Sequence, residues 1–287
     1  MTIPDIYFIV VAPPFSEKSA GVVVLHRLYD SLLALGYSAY LVIFANNTDG
    51  IHYYAMQSFE RNLSREVVIY PEVLGGNPLN SRYVVRYFLN YEGKASGNFV
   101  SPGKDDFIIA YWPEYVNPHH AQIAYLVDAP PADFQGLTPA MQRVMDATYI
   151  GKGRLYGECT VIGGSVEITR SWPETKNALY ELLRQVRFLY NWDSISSIGL
   201  DALVCGCIPV VMQESPISIA DLRNIGCGAN PVAWLQQRSD HWVVATSEHY
   251  ENDRKALLER MRQINLEHPK RLHAIVDQLM HHFNLIG

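Results

Sequence analysis

Continuous apolar runs recur along the chain, each closed by a break and several followed by helical spacing. Ile6 to Ala12 is such a run, ended by Pro13, Pro14, Phe15 and Ser16. Ser19-Ala20-Gly21 then opens a stretch with Val23, Leu25, Leu28, Leu32 and Leu33 on one side, which predicts a helix to about Leu35, stopped by Gly36. Tyr40 to Phe44, Val67 to Tyr70, Phe107 to Trp112 and Ile123 to Val127 read as further buried strands. Leu79 to Leu89 reads as a helix carrying Arg82 and Arg86 one turn apart. Runs without polar alternation mark strands buried on both faces, as in parallel α/β sheets.

The same grammar returns after a proline-rich break. Asp128 to Ala140 contains Pro130, Pro131, Gly136 and Pro139, and proline stops both helix and strand pairing. Thr148 to Arg154 reads as a strand end with two glycines around a lysine, and Val166 to Thr169 as a strand. Arg170-Ser-Trp-Pro-Glu174 leads into a helix with Pro173 near its start and Leu179, Leu182 and Leu183 inward. Phe188 to Tyr190, a helix from about Ser196 to Cys205 closed by Gly206, and Ile208 to Met212 form a compact βαβ unit. Pro216 to Ile225 and Asn230 to Gln236 read as short helices or loops. Glu251 to Ile264 is helical, Pro269 interrupts, and Leu272 to Phe283 is a final helix. The expected division is residues 1–133, a linker at 134–146, a second domain at 147–268 and a terminal helix at 269–287.

Length and composition narrow the classes. The 287 residues suit two domains, and 48% hydrophobic with 18% charged residues permits a sizeable core. A net charge of −6 gives no general attraction to nucleic acid or anionic membrane. Cys159, Cys205, Cys207 and Cys227 show neither metal spacing nor a disulfide framework, which points to a reducing compartment. No apolar run reaches membrane-spanning length and no leader sequence is recognisable, so a cytoplasmic location is expected.

The candidate chemistry gathers at strand ends. Asp193, Ser194, Ser196 and Ser197 lie at the start of the βαβ helix, where serines can cap and free N–H groups can meet an anion. Asp201, one to two turns further in, suits the two hydroxyls of a ribose; the alternative is a capped core helix whose Asp201 faces water. Lys152 and Arg154 can reach a diphosphate, and Trp172 can stack on a base or pack against its own domain. Two strands end in Pro-Glu, placing Glu72 and Glu114 where a general base is useful, unless each is a loop residue or pairs with Arg82 or Arg86. His119-His120 follow Asn117-Pro118 and could bind a substrate hydroxyl.

Two sets of residues resemble the GT-B glycosyltransferases. Asp193-x7-Asp201 followed by Ala-Leu-Val-Cys-Gly-Cys-Ile-Pro-Val-Val is similar to the E-x7-E signature of many retaining members, with both glutamates shortened to aspartate. Ile69-Tyr-Pro-Glu-Val, Gly76-Asn-Pro-Leu, Arg82 to Asn90, Tyr149-Ile-Gly-Lys-Gly and Glu167 to Lys176 together resemble bacterial sugar transferases of polysaccharide clusters. The resemblance implies an α/β protein of two Rossmann-like domains facing across a cleft. It implies a metal-independent transferase that moves a sugar from a nucleoside-diphosphate donor, UDP-sugar first, to the hydroxyl of a glycan or lipid-linked glycan, with no further cofactor. By matching position, Asp201 would hold the ribose and Asp193 the sugar or phosphate end. Ser196, Ser197, Lys152, Arg154 and, from the same stretches, Arg170 and Trp172 would hold the nucleotide. Ser19 and Gly21 match the first-domain loop that closes over donor and acceptor, and the last helix would cross back to the first domain. A sugar-nucleotide epimerase of the same fold is one alternative. Transfer to a hydroxymethylated base of viral DNA is another, and it needs a basic cleft from Arg61, Arg65, Arg82, Arg86 and Lys94, which the net charge does not favour.

Overall fold

In the computed structural model, residues 6–48, 50–93, 99–116, 123–125, 140–194, 196–213, 218–222, 231–239 and 241–285 are described. The 128–140 break, His119-His120, Lys94 and Cys227 fall wholly or almost wholly outside them. The chain is α/β and divides into two compact units: residues 1–128 with 266–287, and residues 129–265.

Unit 1 is built on a seven-stranded sheet. Its strands are β1 (Tyr7–Ala12), β2 (Ser38–Asn47), β3 (Gly50–Ala55), β4 (Glu66–Pro71), β5 (Tyr83–Phe88), β6 (Phe107–Ala110) and β7 (Ile123–Tyr125). The order is β3-β2-β1-β4-β5-β6-β7; all neighbours run parallel except the β2–β3 hairpin. Every residue of β1 is buried, and the strand splits by period two. Phe8, Val10 and Ala12 join the core under helix α1 (Ala20–Ala34), whereas Tyr7, Ile9 and Val11 join the core of the opposite face. Gly36, at a φ of 86°, ends the α1 turn as expected.

The helix expected over Leu79 to Leu89 is replaced by β5. Tyr83-Val84-Val85-Arg86-Tyr87-Phe88 is rich in β-branched and aromatic residues, which suit a pleated surface better than a helix. Arg86 is tolerated in the interior because its Nε donates to Asp106 Oδ2 at 2.8 Å and its Nη1 to the Leu74 carbonyl at 3.1 Å.

Unit 2 carries a six-stranded sheet of β8 (Met145–Tyr149), β9 (Val166–Ile168), β10 (Val186–Asn191), β11 (Ile208–Val211), β12 (Ala233–Arg238) and β13 (His241–Thr246). The order is β13-β12-β11-β10-β8-β9, parallel except for the β12–β13 hairpin. That hairpin takes the place of the short helix or loop expected at Asn230 to Gln236. Helices α2 (Lys176–Leu183) and α3 (Ser197–Val204) bury Tyr180, Leu183, Ile198 and Ala202 with Ala147 and Leu189 of the sheet. Helix α2 begins after Pro173, not with it: Thr175 is its cap, with Oγ1 accepting from the Ala178 N–H at 3.1 Å. Thr175→Ala is expected to lower stability by about 1 kcal/mol, read from a urea melt. Gly206, at a φ of 74°, follows the end of α3 as expected. A short helix, α4 (Ile219–Leu222), precedes the hairpin.

The terminal helix α5 runs unbroken over Tyr250–His282 with Pro269 inside it, where an interruption is expected from the sequence. An internal proline removes one hydrogen bond and crowds the preceding turn. Leu272, Ile275, Val276, Leu279 and Met280 offset that cost by packing into the unit 1 core with Phe8, Leu25 and Leu28. The helix belongs to unit 2 up to Asn265 and to unit 1 from Leu266, three residues before the expected boundary at 268/269. No described helix is long and apolar enough to cross a membrane.

Candidate functional site

Parallel pairing of β9, β8, β10 and β11 places their carboxyl ends on one edge of the unit 2 sheet. In open α/β sheets this is the edge at which ligands meet the chain. Three segments converge on it: the turn Gly151–Leu155 after β8, residues 192–194 and Ser196 after β10, and Gln213 after β11. They are tied together by main-chain and side-chain hydrogen bonds. The Trp192 N–H donates to the Tyr149 carbonyl at 2.9 Å, and the Lys152 N–H to Asp193 Oδ2 at 3.0 Å. Gln213 Nε2 donates to the Gly153 carbonyl at 2.8 Å and to the Trp192 carbonyl at 3.3 Å.

The two glycines are demanded by this packing. Gly151 has a φ of 53°, and a Cβ there would lie 2.4 Å from the Tyr149 ring and 2.8 Å from Asp193 Oδ2. A Cβ on Gly153 would lie 2.6 Å from the Trp192 carbonyl oxygen. Only a residue without a side chain lets the turn lie this close to the β10 loop.

Asp193 is the hub of the arrangement. It is 1% exposed, its N–H donates to Asn191 Oδ1 at 3.0 Å, and its carbonyl accepts from the Ser196 N–H at 2.9 Å. Oδ2 serves Lys152, but Oδ1 is buried with no hydrogen-bond partner among the described residues. Buried polar atoms are nearly always paired, so such an oxygen asks for a donor that the described residues do not supply. Beside it, the Tyr149 hydroxyl is raised above its ordinary pKa by burial and interacts with Ser196 and Arg170. The hydroxyl therefore stays protonated across the physiological range. Ser196 occupies the N-cap position of α3 without making a side-chain cap bond, and Ser197 begins the helix. The first-turn N–H groups of α3 and the Lys152 and Arg170 side chains thus share one edge with a buried carboxylate and a tyrosine hydroxyl. Arg154, Arg170 and Trp172 are exposed, Trp172 at 45%.

Several expected site residues are engaged elsewhere. Asp201 is 2% exposed: Oδ2 takes Lys176 Nζ at 2.5 Å and Oδ1 takes the Tyr180 hydroxyl at 3.2 Å. Its carboxyl pKa is raised by burial, a rise that Lys176 and Tyr180 limit. Both oxygens meet protein donors, so Asp201 is an internal anchor between α2 and α3 and not a ribose ligand. Glu72 is also buried, with Oε2 accepting the Leu89 N–H at 3.1 Å, so it ties the ends of β4 and β5 together. Glu114 sits exposed in the short helical turn Pro113–Tyr115 after β6. Ser19 caps α1 by position, without a side-chain bond, and Gly21 lies in the first turn of that helix, where an added Cβ would meet Leu89 at ordinary van der Waals distance, so neither is shaped as a phosphate loop. The basic set invoked for DNA is dispersed: Arg86 is buried with Asp106, and Arg61 is paired with the fully buried Glu66.

Tyr149 and Lys176 lie at the ends of stretches that carry the family resemblance but receive no role from it, and Gln213 lies in none. Tyr149 carried a signal, as the residue immediately before the Ile-Gly-Lys-Gly turn. The roles of Gln213 and Lys176 are not local, because their partners are set by strand order and helix packing. Among the described residues no group of acidic, histidine or cysteine side chains is arranged to hold a metal ion. The chain matches no protein-family model and no curated protein.

Proposed function

We propose that the carboxyl edge of unit 2 binds the diphosphate of a nucleotide sugar and that the protein is a glycosyltransferase of the GT-B type. The observation that carries this reading is the joint between the Gly151-Lys152-Gly153 turn and the residues Asp193, Ser196 and Ser197, with Asp193 Oδ1, unpartnered among the described residues, inside it. Lys152, Arg154 and Arg170 supply positive charge on and around the turn, beside the buried carboxylate of Asp193. That charge suits a diphosphate diester. Lys152 meets it as a point charge and the arginines as forks. The α3 start adds main-chain donors and a favourable helix dipole.

Transfer breaks the bond between the anomeric carbon and the diphosphate and forms one to an acceptor oxygen. Charge grows on the departing phosphate, so donors already aimed at it lower the barrier. The Tyr149 proton, kept in place by burial, is one such donor, and Lys152 and Arg170 are the cations. Glu72 is a poor base, because its carboxylate is buried and accepts the Leu89 N–H. UDP-sugars are the first donors to test and a glycan hydroxyl the first acceptor.

A thermal-shift screen against UDP-, GDP- and dTDP-sugars tests the reading, because a ligand held only by the folded state raises the melting temperature. At a hundredfold excess over Kd the stabilisation is about 2.7 kcal/mol. At least one nucleotide sugar should shift the wild type and not Lys152→Ala. No shift with any of them contradicts the proposal.

A further inference from the structure

The two faces of the unit 1 sheet are covered differently. One lies under α1 and the end of α5. The core cluster of the other face is completed, among the described residues, by loop and strand side chains such as Phe59, Val73, Leu74 and Leu79. On that side an open pocket of about 350 Å³ is lined by Val42, Tyr53, Tyr54, Ser58, Phe59 and Arg61, among others. This is within the size range of small-ligand sites, roughly 300–1,000 Å³.

The wall is firmly held. Phe59 stacks on Tyr40 with ring centroids 4.2 Å apart and planes 16° from parallel. The Asn62 N–H donates to the Tyr7 hydroxyl at 2.6 Å, Gln57 Nε2 donates to the Ala39 carbonyl at 3.3 Å, and the Met56 N–H donates to the Leu41 carbonyl at 3.0 Å. The charge is equally well defined. Arg61 Nε donates to Glu66 Oε2 at 3.1 Å, and its Nη2 pairs with Oε1. Glu66 is fully buried, whereas the Arg61 side chain is 37% exposed. The guanidinium therefore offers its outer N–H groups with its charge already cancelled. A pocket of tyrosine rings, one serine hydroxyl and neutralised N–H donors suits a ligand with an apolar face and hydroxyl edges and no net charge.

We infer that this pocket is a docking site for a neutral saccharide unit, held by the Tyr54 ring and the polar rim of Ser58 and Arg61. It extends the glycosyltransferase reading by adding a glycan subsite on unit 1, and it can fail independently of the nucleotide site. The probe is saturation-transfer NMR on the full chain with neutral gluco-, galacto-, manno- and rhamno-oligosaccharides at millimolar concentration, and with an oligogalacturonate as the anionic counterpart. At least one neutral oligosaccharide should bind the wild type, bind Tyr54→Ala about tenfold more weakly, and bind Lys152→Ala unchanged. Tyr54 is 49% exposed, so its loss leaves the core intact. Absence of binding by every neutral oligosaccharide, binding indifferent to Tyr54→Ala, or preference for the oligogalacturonate overturns the inference. A nucleotide-sugar thermal shift without saccharide binding would sink this site alone; saccharide binding without the shift would sink the nucleotide reading alone.

Discussion

Gly153→Ala is expected to lower stability by about 1–3 kcal/mol and to weaken nucleotide-sugar binding by more than about tenfold, or 1.4 kcal/mol. The added methyl would sit 2.6 Å from the Trp192 carbonyl oxygen and 2.7 Å from the Trp192 Cβ. The carbonyl is main chain at the end of β10, so it cannot swing aside. The turn must lift, and lifting it breaks the Gln213 bond to the Gly153 carbonyl and draws the Lys152 N–H from Asp193. Stability and binding should therefore fall together. Gly163→Ala is the control: its Cβ would meet nothing within 4 Å, so both quantities should stay at wild-type values. Calorimetric titration with the best nucleotide sugar, paired with a urea melt, reads both. A Gly153→Ala protein that binds normally would remove the turn from the site.

Lys176→Met should destabilise the protein by about 3–5 kcal/mol at neutral pH, because it leaves the Asp201 carboxylate buried without its cation. Burial already raises the Asp201 pKa, and Lys176 is the principal force acting against that rise. A carboxyl whose folded pKa lies above its unfolded value of about 3.9 binds more protons when folded. Its contribution to stability is then largest at acid pH and is lost as pH rises through the folded pKa. Removing Lys176 pushes that pKa higher and enlarges the loss. The deficit of Lys176→Met relative to wild type should therefore narrow as pH falls from neutral toward the unfolded value. Adding Asp201→Asn should recover much of it at neutral pH. Denaturant melts across that pH range check both points. A single variant as stable as wild type would show that Asp201 does not need its partner.

The contrast between these two aspartates shows how far the chain could be read without coordinates. The β10–α3–β11 unit was legible because unbroken apolar runs flank it and Gly206 supplies the left-handed stop. The spacing from Asp193 to Asp201 was equally visible, but not what each carboxylate faces. Lys176 and Tyr180 reach Asp201 from α2, and no local pattern announces that packing. Strand β5 was missed because Arg82 and Arg86 stand one helical turn apart. What allows an arginine inside a sheet is Asp106, contributed from a distant loop. The β12–β13 hairpin was missed because polar residues dilute its apolar positions at the sheet edge. Pro269 misled in the opposite sense, since a helix tolerates a proline when tertiary burial on the following turns outweighs the lost bond.

Hydrogen exchange of the full chain, with and without saturating nucleotide sugar, tests most directly where the donor binds. Binding at the carboxyl edge of unit 2 should slow exchange at the amides of 151–154 and 192–199, where the glycine turn meets the α3 start. Slowed exchange confined to other segments, with those two unchanged, would contradict the account.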